Sequence, residues 1–323
     1  MTARTVPGFG LGTFSDGGAP YPGIVVDGLV ANLRDLLGDP ALTSASLLRD
    51  WDRSLPRMQE LARGDLGETK ALEHLRVLPP VDPPGQIICA GANYRRHVIK
   101  MQSHQFRYDL DDRETEEQRR ERIARAVDER AATGAPFGFA ALPSALCGAY
   151  DDIVLSNGGT QHDWEIELAV VIGRTARNVS RADALDYVAG YSISNDVSTR
   201  DLLYRDDVRF PDWIASKCAP TFFPTGPYLV PTQFVADPSN LKMTLTVNGE
   251  VMQDESTSDM IFPPARLVEH FSSLVELRPG DLILTGSPAG NAGEHGGRYL
   301  RPGDVIESEI EGLGTQRNRC VAG

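Results

Sequence analysis

The sequence predicts an α+β protein whose main domain is rich in strands. Three observations carry this. From Phe137 onward, short apolar runs of strand length alternate with Gly, Pro and Asn turns. Helical periodicity is concentrated before that point, and no repeated βαβ unit follows it. The 323 residues leave room for one large domain and a small one.

Residues 1–80 are expected to form the small N-terminal domain. Residues 25–37 and 44–62 have helical spacing with charged faces, and Thr43 or Ser44 is placed to cap the second helix. The run Leu78-Pro79-Pro80-Val81-Asp82-Pro83-Pro84 is the best boundary in the chain, and it opens a catalytic domain over 81–323. Gln86-Ile87-Ile88-Cys89-Ala90-Gly91 then reads as a short buried strand.

An insert at 102–135 differs in character. Residues 111–130 are nearly all charged, with Ile123 and Val127 as a thin i, i+4 apolar stripe. This describes a solvated or mobile helix, either a movable lid or a surface decoration. Further on, strands are expected at 152–155, 241–247, 281–285 and 304–310, and Asn248-Gly249 is a hairpin turn between two apolar runs. Shorter helices are expected at 182–188 and 264–273.

Charge and composition exclude several functions. A net charge of −13 argues against nucleic acid and anionic membranes as partners. No run approaches a membrane span, and Met1-Thr2-Ala3-Arg4-Thr5-Val6-Pro7 lacks the apolar stretch of a signal peptide. Cys89, Cys147, Cys218 and Cys320 form no C-x-x-C pair and read as reduced thiols of a cytoplasmic protein.

The chemistry concentrates in His162-Asp163-Trp164-Glu165-Ile166-Glu167-Leu168 and Ser194-Asn195-Asp196-Val197. Side chains alternate along a strand, so Glu165 and Glu167 share a face while Trp164, Ile166 and Leu168 point into a core. Two carboxylates on one face repel unless a cation lies between them. Asp196, at the end of another apolar run, supplies a third oxygen ligand, and such a set suits Mg²⁺ or Mn²⁺ better than zinc. The alternative is that E-x-E is the solvated face of an antiparallel strand. The Gly-rich run Gly286-Ser287-Pro288-Ala289-Gly290-Asn291-Ala292-Gly293 lacks the Gly-Lys-Ser/Thr ending of a phosphate loop and the G-x-G-x-x-G spacing. Its amides and the Ser287 hydroxyl are expected to line a carboxylate site, or the run is merely a turn.

The ordered set of motifs resembles the fumarylacetoacetate hydrolase superfamily, in its acylpyruvase-like branch. Gly91-Ala92-Asn93-Tyr94-Arg95-Arg96-His97 is similar to G-x-N-Y-x-x-H. Asp163 to Gly173 is similar to D-x-E-x-E-L-A-V-V-I-G. Asn195-Asp196-Val197-Ser198-Thr199-Arg200-Asp201 resembles N-D-V-S-A-R-D. Lys217 with Pro224-Thr225-Gly226-Pro227, the Asn248-Gly249 hairpin through Gln253, and Arg278 to Pro288 continue the match, which covers residues 86–319 apart from the insert.

The resemblance implies a mixed β-sandwich roll, assembled as a homodimer, acting on a small-molecule oxo acid. It implies that Glu165, Glu167 and Asp196 hold Mg²⁺ or Mn²⁺, that Lys217 lies near the metal and substrate oxygens, and that His97 is the general base on a lid. It implies substrate contacts at Ser287 and its neighbour Gly286; Gln253 lines the pocket or merely hydrogen-bonds within a strand, and Tyr94 is structural packing near the site, with its hydroxyl as a candidate substrate contact. His162 is a partner of the metal strand or a loop histidine, Arg200 a structural ion-pair former, and His270 and His295 carry no signal.

The sequence departs from the family pattern in places. Where hydrolytic relatives have Glu three residues after the base, this chain has Lys100, a cation that would lower the imidazole's proton affinity. An acid from the insert, such as Glu114 or Glu117, is the candidate replacement. Leu203 stands where some members have a Gln, Pro220 where an Asp is frequent, and Leu142-Pro143 where Lys-Pro is usual. The expected activity is metal-dependent hydrolysis of a C–C bond in a 2,4-dioxo acid of acylpyruvate type. The alternative on the same scaffold is an oxo-acid decarboxylase, hydratase or isomerase/tautomerase, and the reading from another class is a retired binding protein.

Overall fold

The computed structural model describes residues 8–104, 114–155 and 158–323. The N-terminal segment 1–7 and residues 105–113 of the charged insert, both discussed above, lie outside the described residues.

The larger sheet has 12 strands. Its central strand is Ile166–Ile172, which reads as an unbroken apolar run apart from Glu167 and is buried along its whole length. Such a run suits a strand covered on both faces. It pairs antiparallel with Val188–Asn195 on one side and with Leu282–Leu284 on the other. Phe223–Pro231 extends the sheet beyond Val188–Asn195. On the other side the order runs through Ile87–Ala90, parallel to Leu282–Leu284, to Gly138–Ala141 at the end.

A second sheet of 5 strands is ordered Glu250–Ser256, Lys242–Val247, Val305–Ile310, Gly314–Ala322 and Ile153–Leu155. Its first hairpin turns at Asn248 and Gly249, with φ of 53° and 81°, the left-handed pair that a type I′ turn requires. The sheet packs on the central strands, and Gln316 fastens the two layers by donating to the carbonyls of Ile193, Pro224 and Gly226. Antiparallel pairs predominate, with parallel ones at Leu146–Gly148, Ile87–Ala90 and Ile153–Leu155. The fold is thus α+β with mixed sheets.

The N-terminal residues join this architecture differently from expectation. The span 25–37 is not a helix. It contains the end of strand Tyr21–Val26, strand Leu29–Asn32 and only then the short helix Leu33–Leu37. The β-branched Val25, Val26 and Val30 favour strands, and Asp27-Gly28 turns the hairpin with φ of 49° and 78°. The span 44–62 is two helices, Ser44–Arg49 and Trp51–Arg63, the first capped by Thr43 in a reciprocal capping box with Ser46. Strand Gly10–Ser15 pairs with Phe223–Pro231 in the register Leu11↔Leu229. The residues before the Pro-rich run therefore add strands to the catalytic sheet.

The described part of the charged insert is helical. Glu116–Thr133 buries Ile123 and Val127 and packs on helix Arg95–His104. Arg95 grips Asp128 through two hydrogen bonds, and Arg130 donates to the Ala92 carbonyl. Among the described residues no helix is long and apolar enough to cross a membrane.

Candidate active site

Strand geometry assembles the carboxylates. Glu165 immediately precedes the central strand and Glu167 lies within it, so alternation puts both on one face. Asp196 follows the antiparallel neighbour, and its amide donates to the Glu165 carbonyl at 2.9 Å. The Asn195 side chain accepts the Glu165 amide at 2.8 Å. Ligand oxygens of Glu165, Glu167 and Asp196 all lie within 4.8 Å of one another. They are 7 %, 2 % and 1 % exposed, which rules out the solvated-face alternative for E-x-E.

Buried carboxylates at this spacing need cations. Lys217 Nζ donates to Glu165 Oε2 at 2.8 Å and to Asp196 Oδ2 at 2.6 Å. Arg200 donates to Glu165 Oε1 at 2.5 Å and to Asp163 Oδ2 at 2.8 Å. Arg200 thus forms the ion pairs expected of it, one of them with a residue of the triad. Burial raises the Glu165 carboxyl, but Arg200 and Lys217 outweigh it and hold it at about 2. Asp196 is pushed up to about 6 by burial and Glu165, against the pull of Lys217. Glu167 is raised well above the usual carboxylate range by burial, Asp196 and Glu165. Burial alone would lower the Lys217 ammonium, yet Asp196 and Glu165 hold it charged.

The balance leaves negative charge uncompensated. Among the described residues Asp196 Oδ1 is buried with no hydrogen-bond partner, a costly state for a carboxylate oxygen. An all-oxygen set with one such atom, closed to thiolates, fits a hard divalent cation.

The Gly-rich loop serves these acids directly. Gly286, at φ 88°, aims its amide at Glu167 Oε2, 2.7 Å away. The amide of Ala292 donates to Asp163 Oδ1 and that of Gly290 to Glu294 Oε1. These three amides hold the protein's own carboxylates, so Gly286 cannot also offer its N–H to a substrate as expected. Gln253 is likewise saturated: Oε1 accepts the Ile166 amide, and Nε2 donates to Ser287 Oγ and the Pro288 carbonyl. Its role is to brace the loop on the strand. Ser287 Oγ accepts from Gln253 at 2.9 Å, and its proton has only a long 3.5 Å contact to the Pro288 carbonyl, which leaves it free to donate. Tyr94, expected as packing near the site, is fully buried and donates its hydroxyl to Met243 Sδ at 3.2 Å.

The partner of His97 is the main residue that sequence reasoning missed. His97 Nδ1 lies 3.7 Å from Glu294 Oε1, an ion-pair distance. Lys100 Nζ donates to Glu294 Oε2 at 2.7 Å. The Lys100 charge is thus directed at a carboxylate rather than at the imidazole. Burial raises Glu294, but His97, the Gly290 amide and Lys100 bring it down to about 2. Glu114, proposed for this role, instead pairs with Arg122, and Glu117 is exposed. The available signal was the position of Glu294, just after a Gly-rich loop whose amides bind acids. His162 pairs with Thr199 at 3.0 Å and is buried.

Comparison with known proteins agrees with this fold. A model of the fumarylacetoacetate hydrolase C-terminal domain matches residues 86–321. Oxaloacetate tautomerase FAHD2A, mitochondrial, of Bos taurus is 37 % identical over 245 residues, covering 76 % of this chain and 69 % of that protein. The 2,4-didehydro-3-deoxy-L-rhamnonate hydrolase of a Sphingomonas species is 34 % identical over 310 residues, covering 95 % of this chain and 94 % of its own. Among solved structures, maleylpyruvate hydrolase from Sphingobium, in complex with manganese(II) and pyruvate, matches with a TM-score of 0.73 and 26 % identity over 97 % of this chain and 99 % of that one.

Proposed function

The chain belongs to the fumarylacetoacetate hydrolase family, and from that premise we propose that it is a divalent-metal-dependent hydrolase cleaving a C–C bond in a 2,4-dioxo acid. The observation that carries the reading is the His97–Glu294 pair at 3.7 Å. It supplies the acid–base partner whose absence from the sequence pattern was the argument against hydrolysis.

Glu165, Glu167 and Asp196 would hold Mg²⁺ or Mn²⁺, with the manganese-bound maleylpyruvate hydrolase in support. Such an ion supplies Lewis acidity to an adjacent 2-oxo acid. The chain's own residues do the rest. Glu294, ionised throughout the neutral range, faces His97 Nδ1 across 3.7 Å; closing to hydrogen-bond distance when substrate binds would place the proton on Nδ1 and make Nε2 the basic nitrogen. His97 takes a proton from water, and the resulting hydroxide adds to the C4 carbonyl. The C3–C4 bond breaks, its electron pair stays on C3 as an enolate, and the proton returns to C3. The products are the acid of the acyl arm and pyruvate. The Lys217 ammonium faces the oxygens on which charge develops, and Ser287 donates to the substrate carboxylate.

A second reading is tautomerisation of a 2-oxo acid, favoured by the relative named oxaloacetate tautomerase. It needs only proton transfer between carbon and oxygen by the same His97. Reaction in ¹⁸O-water separates the two: hydrolysis places ¹⁸O in a new carboxylate and releases pyruvate in equal amount. Exchange of C3 protons with no cleavage across a set of acylpyruvates would select the tautomerase. Four buried unpaired cysteines support a reducing, cytoplasmic setting, and assembly as a homodimer is checked by sedimentation.

A further inference from the structure

We propose that Phe139 and Trp213 form the wall that receives the acyl arm of the substrate, and that this arm is an uncharged alkyl or aryl group. The inference deepens the hydrolase reading and rests on it for the identity of the reacting end.

The two rings are stacked, with centroids 4.4 Å apart and planes 3° from parallel. Both are half-buried. Phe139 lies on strand Gly138–Ala141, at the end of the strand order, and Trp213 opens helix Trp213–Lys217. That helix carries Lys217, whose ammonium sits 5.4 Å from the Phe139 centroid and 2.6 Å from Asp196. The stacked pair is therefore one residue away from the carboxylates that anchor the oxo-acid end. The pair does not close the core either: both rings are only half-buried, and Ile214, next to Trp213 in the chain, is 64 % exposed.

Charge at this end argues the same way. A substrate with a second carboxylate would need a cation here. Arg205, on the adjoining hairpin Tyr204–Arg205 and Val208–Pro211, is held by Asp207 at 2.9 and 2.6 Å and faces Asp212 at 3.6 Å. The charge of Arg205 is thus already matched by those two aspartates and is not held out to a second substrate carboxylate. A flat apolar arm would meet a ring face, where stacking adds to area burial. Lys217 already lies over Phe139 at cation–π distance, and an arm that dries this wall strengthens that contact.

The test uses the Mg²⁺-loaded full chain with benzoylpyruvate, acetylpyruvate and succinylpyruvate, together with binding of oxanilate and oxamate followed by calorimetry. The expected result is a kcat/KM for benzoylpyruvate about tenfold or more above that for succinylpyruvate. Oxanilate should bind more tightly than oxamate. In Trp213→Ala and Phe139→Ala the ratio of benzoylpyruvate to acetylpyruvate turnover, and the oxanilate preference, should both collapse. Trp213→Leu, which keeps apolar bulk without a stacking face, should lower both ratios in part and guards against a variant that fails to fold. A preference for succinylpyruvate, or ratios unchanged in folded variants, overturns the wall. If no acylpyruvate is cleaved while a Trp213-dependent preference for oxanilate persists, the wall stands and the hydrolase reading falls.

Discussion

His97 Nδ1 lies 3.7 Å from Glu294 Oε1, and the other oxygen of that carboxylate is held by Lys100 at 2.7 Å. The Lys100 charge is thus spent on the carboxylate that faces His97 rather than on the imidazole. Glu294 is further fixed by the Gly290 amide, so one carboxylate ties helix Arg95–His104 to the Gly-rich loop.

Glu294→Gln is expected to lower kcat at least about tenfold, because the neutral amide neither fixes the imidazole nor stabilises its cation. Affinity for Mn²⁺, measured by calorimetry, should not change. His97→Ala should cost about 10²–10⁴ in kcat with metal binding equally intact. Loss of metal affinity in either variant would move these residues from proton transfer to metal binding.

Glu167→Gln and Asp196→Asn should each weaken divalent-metal binding by more than about 100-fold, since even outer-shell changes cost 10–100-fold. Asp196 is the sharper case, because its Oδ1 has no hydrogen-bond partner among the described residues. Calorimetry on the variants decides it, and wild-type affinity in Asp196→Asn would contradict the assignment.

Arg200→Gln tests positioning. The guanidinium bridges Glu165 and Asp163, and removing it leaves two buried carboxylates short of a cation. The expected outcome is a loss of about 3–5 kcal/mol of stability and about 10–100-fold in metal affinity. Denaturant unfolding with and without Mn²⁺ reads both effects. An unchanged metal affinity in a folded variant would leave Arg200 a purely structural role.

The effect of metal on stability should depend on pH. Asp196 is pushed up to about 6 from the usual 3.8, chiefly by burial. It holds its proton more tightly folded than unfolded, so its contribution to the metal-free chain is lost as pH rises from about 4 to 6. Glu167 is shifted in the same direction. Glu165, lowered to about 2, behaves oppositely, and its contribution is lost as pH falls from about 4.5 toward 2. Metal competes with the protons on Asp196 and Glu167. The rise in Tm on adding Mn²⁺ should therefore be small near pH 5 and grow through about pH 6 to 7. A rise independent of pH across that range would refute the charge balance described here.

The parts legible in the sequence were those set by local rules. Period-2 alternation placed Glu165 and Glu167 on one face, and Asn248-Gly249 marked its hairpin. The parts not legible depended on contacts between distant segments. Nothing local shows that Leu11 pairs with Leu229, which is why the N-terminal strands were not read as part of the catalytic sheet. Helical spacing at 25–37 was misleading because Asp27-Gly28 folds the run into a hairpin. Gln253 and Gly286 were expected to meet substrate, and only the hydrogen bonds between distant segments reveal that their donors are already used. Glu294 is marked in the sequence only by its place after the Gly-rich loop, and its approach to His97 exists only once distant segments meet.

Lys217 offers the most discriminating substitution. Its ammonium is 3 % exposed and shared between Glu165 and Asp196. Lys217→Met keeps an unbranched side chain only one atom shorter and removes the charge and donors. The metal-free variant should lose about 3–5 kcal/mol, the cost of leaving a buried partner unpaired. Because the carboxylates then lack a competing cation, Mn²⁺ should bind at least as tightly as in the native chain and restore much of that stability. Turnover should still fall about 10²–10³-fold even when saturated with metal, since charge developing on the substrate loses its preorganised donor. Thermal unfolding and calorimetry on the same preparation separate these outcomes. Weaker metal binding would mean that the ammonium holds the carboxylates in place, and native turnover would mean that it does not face the reacting oxygens.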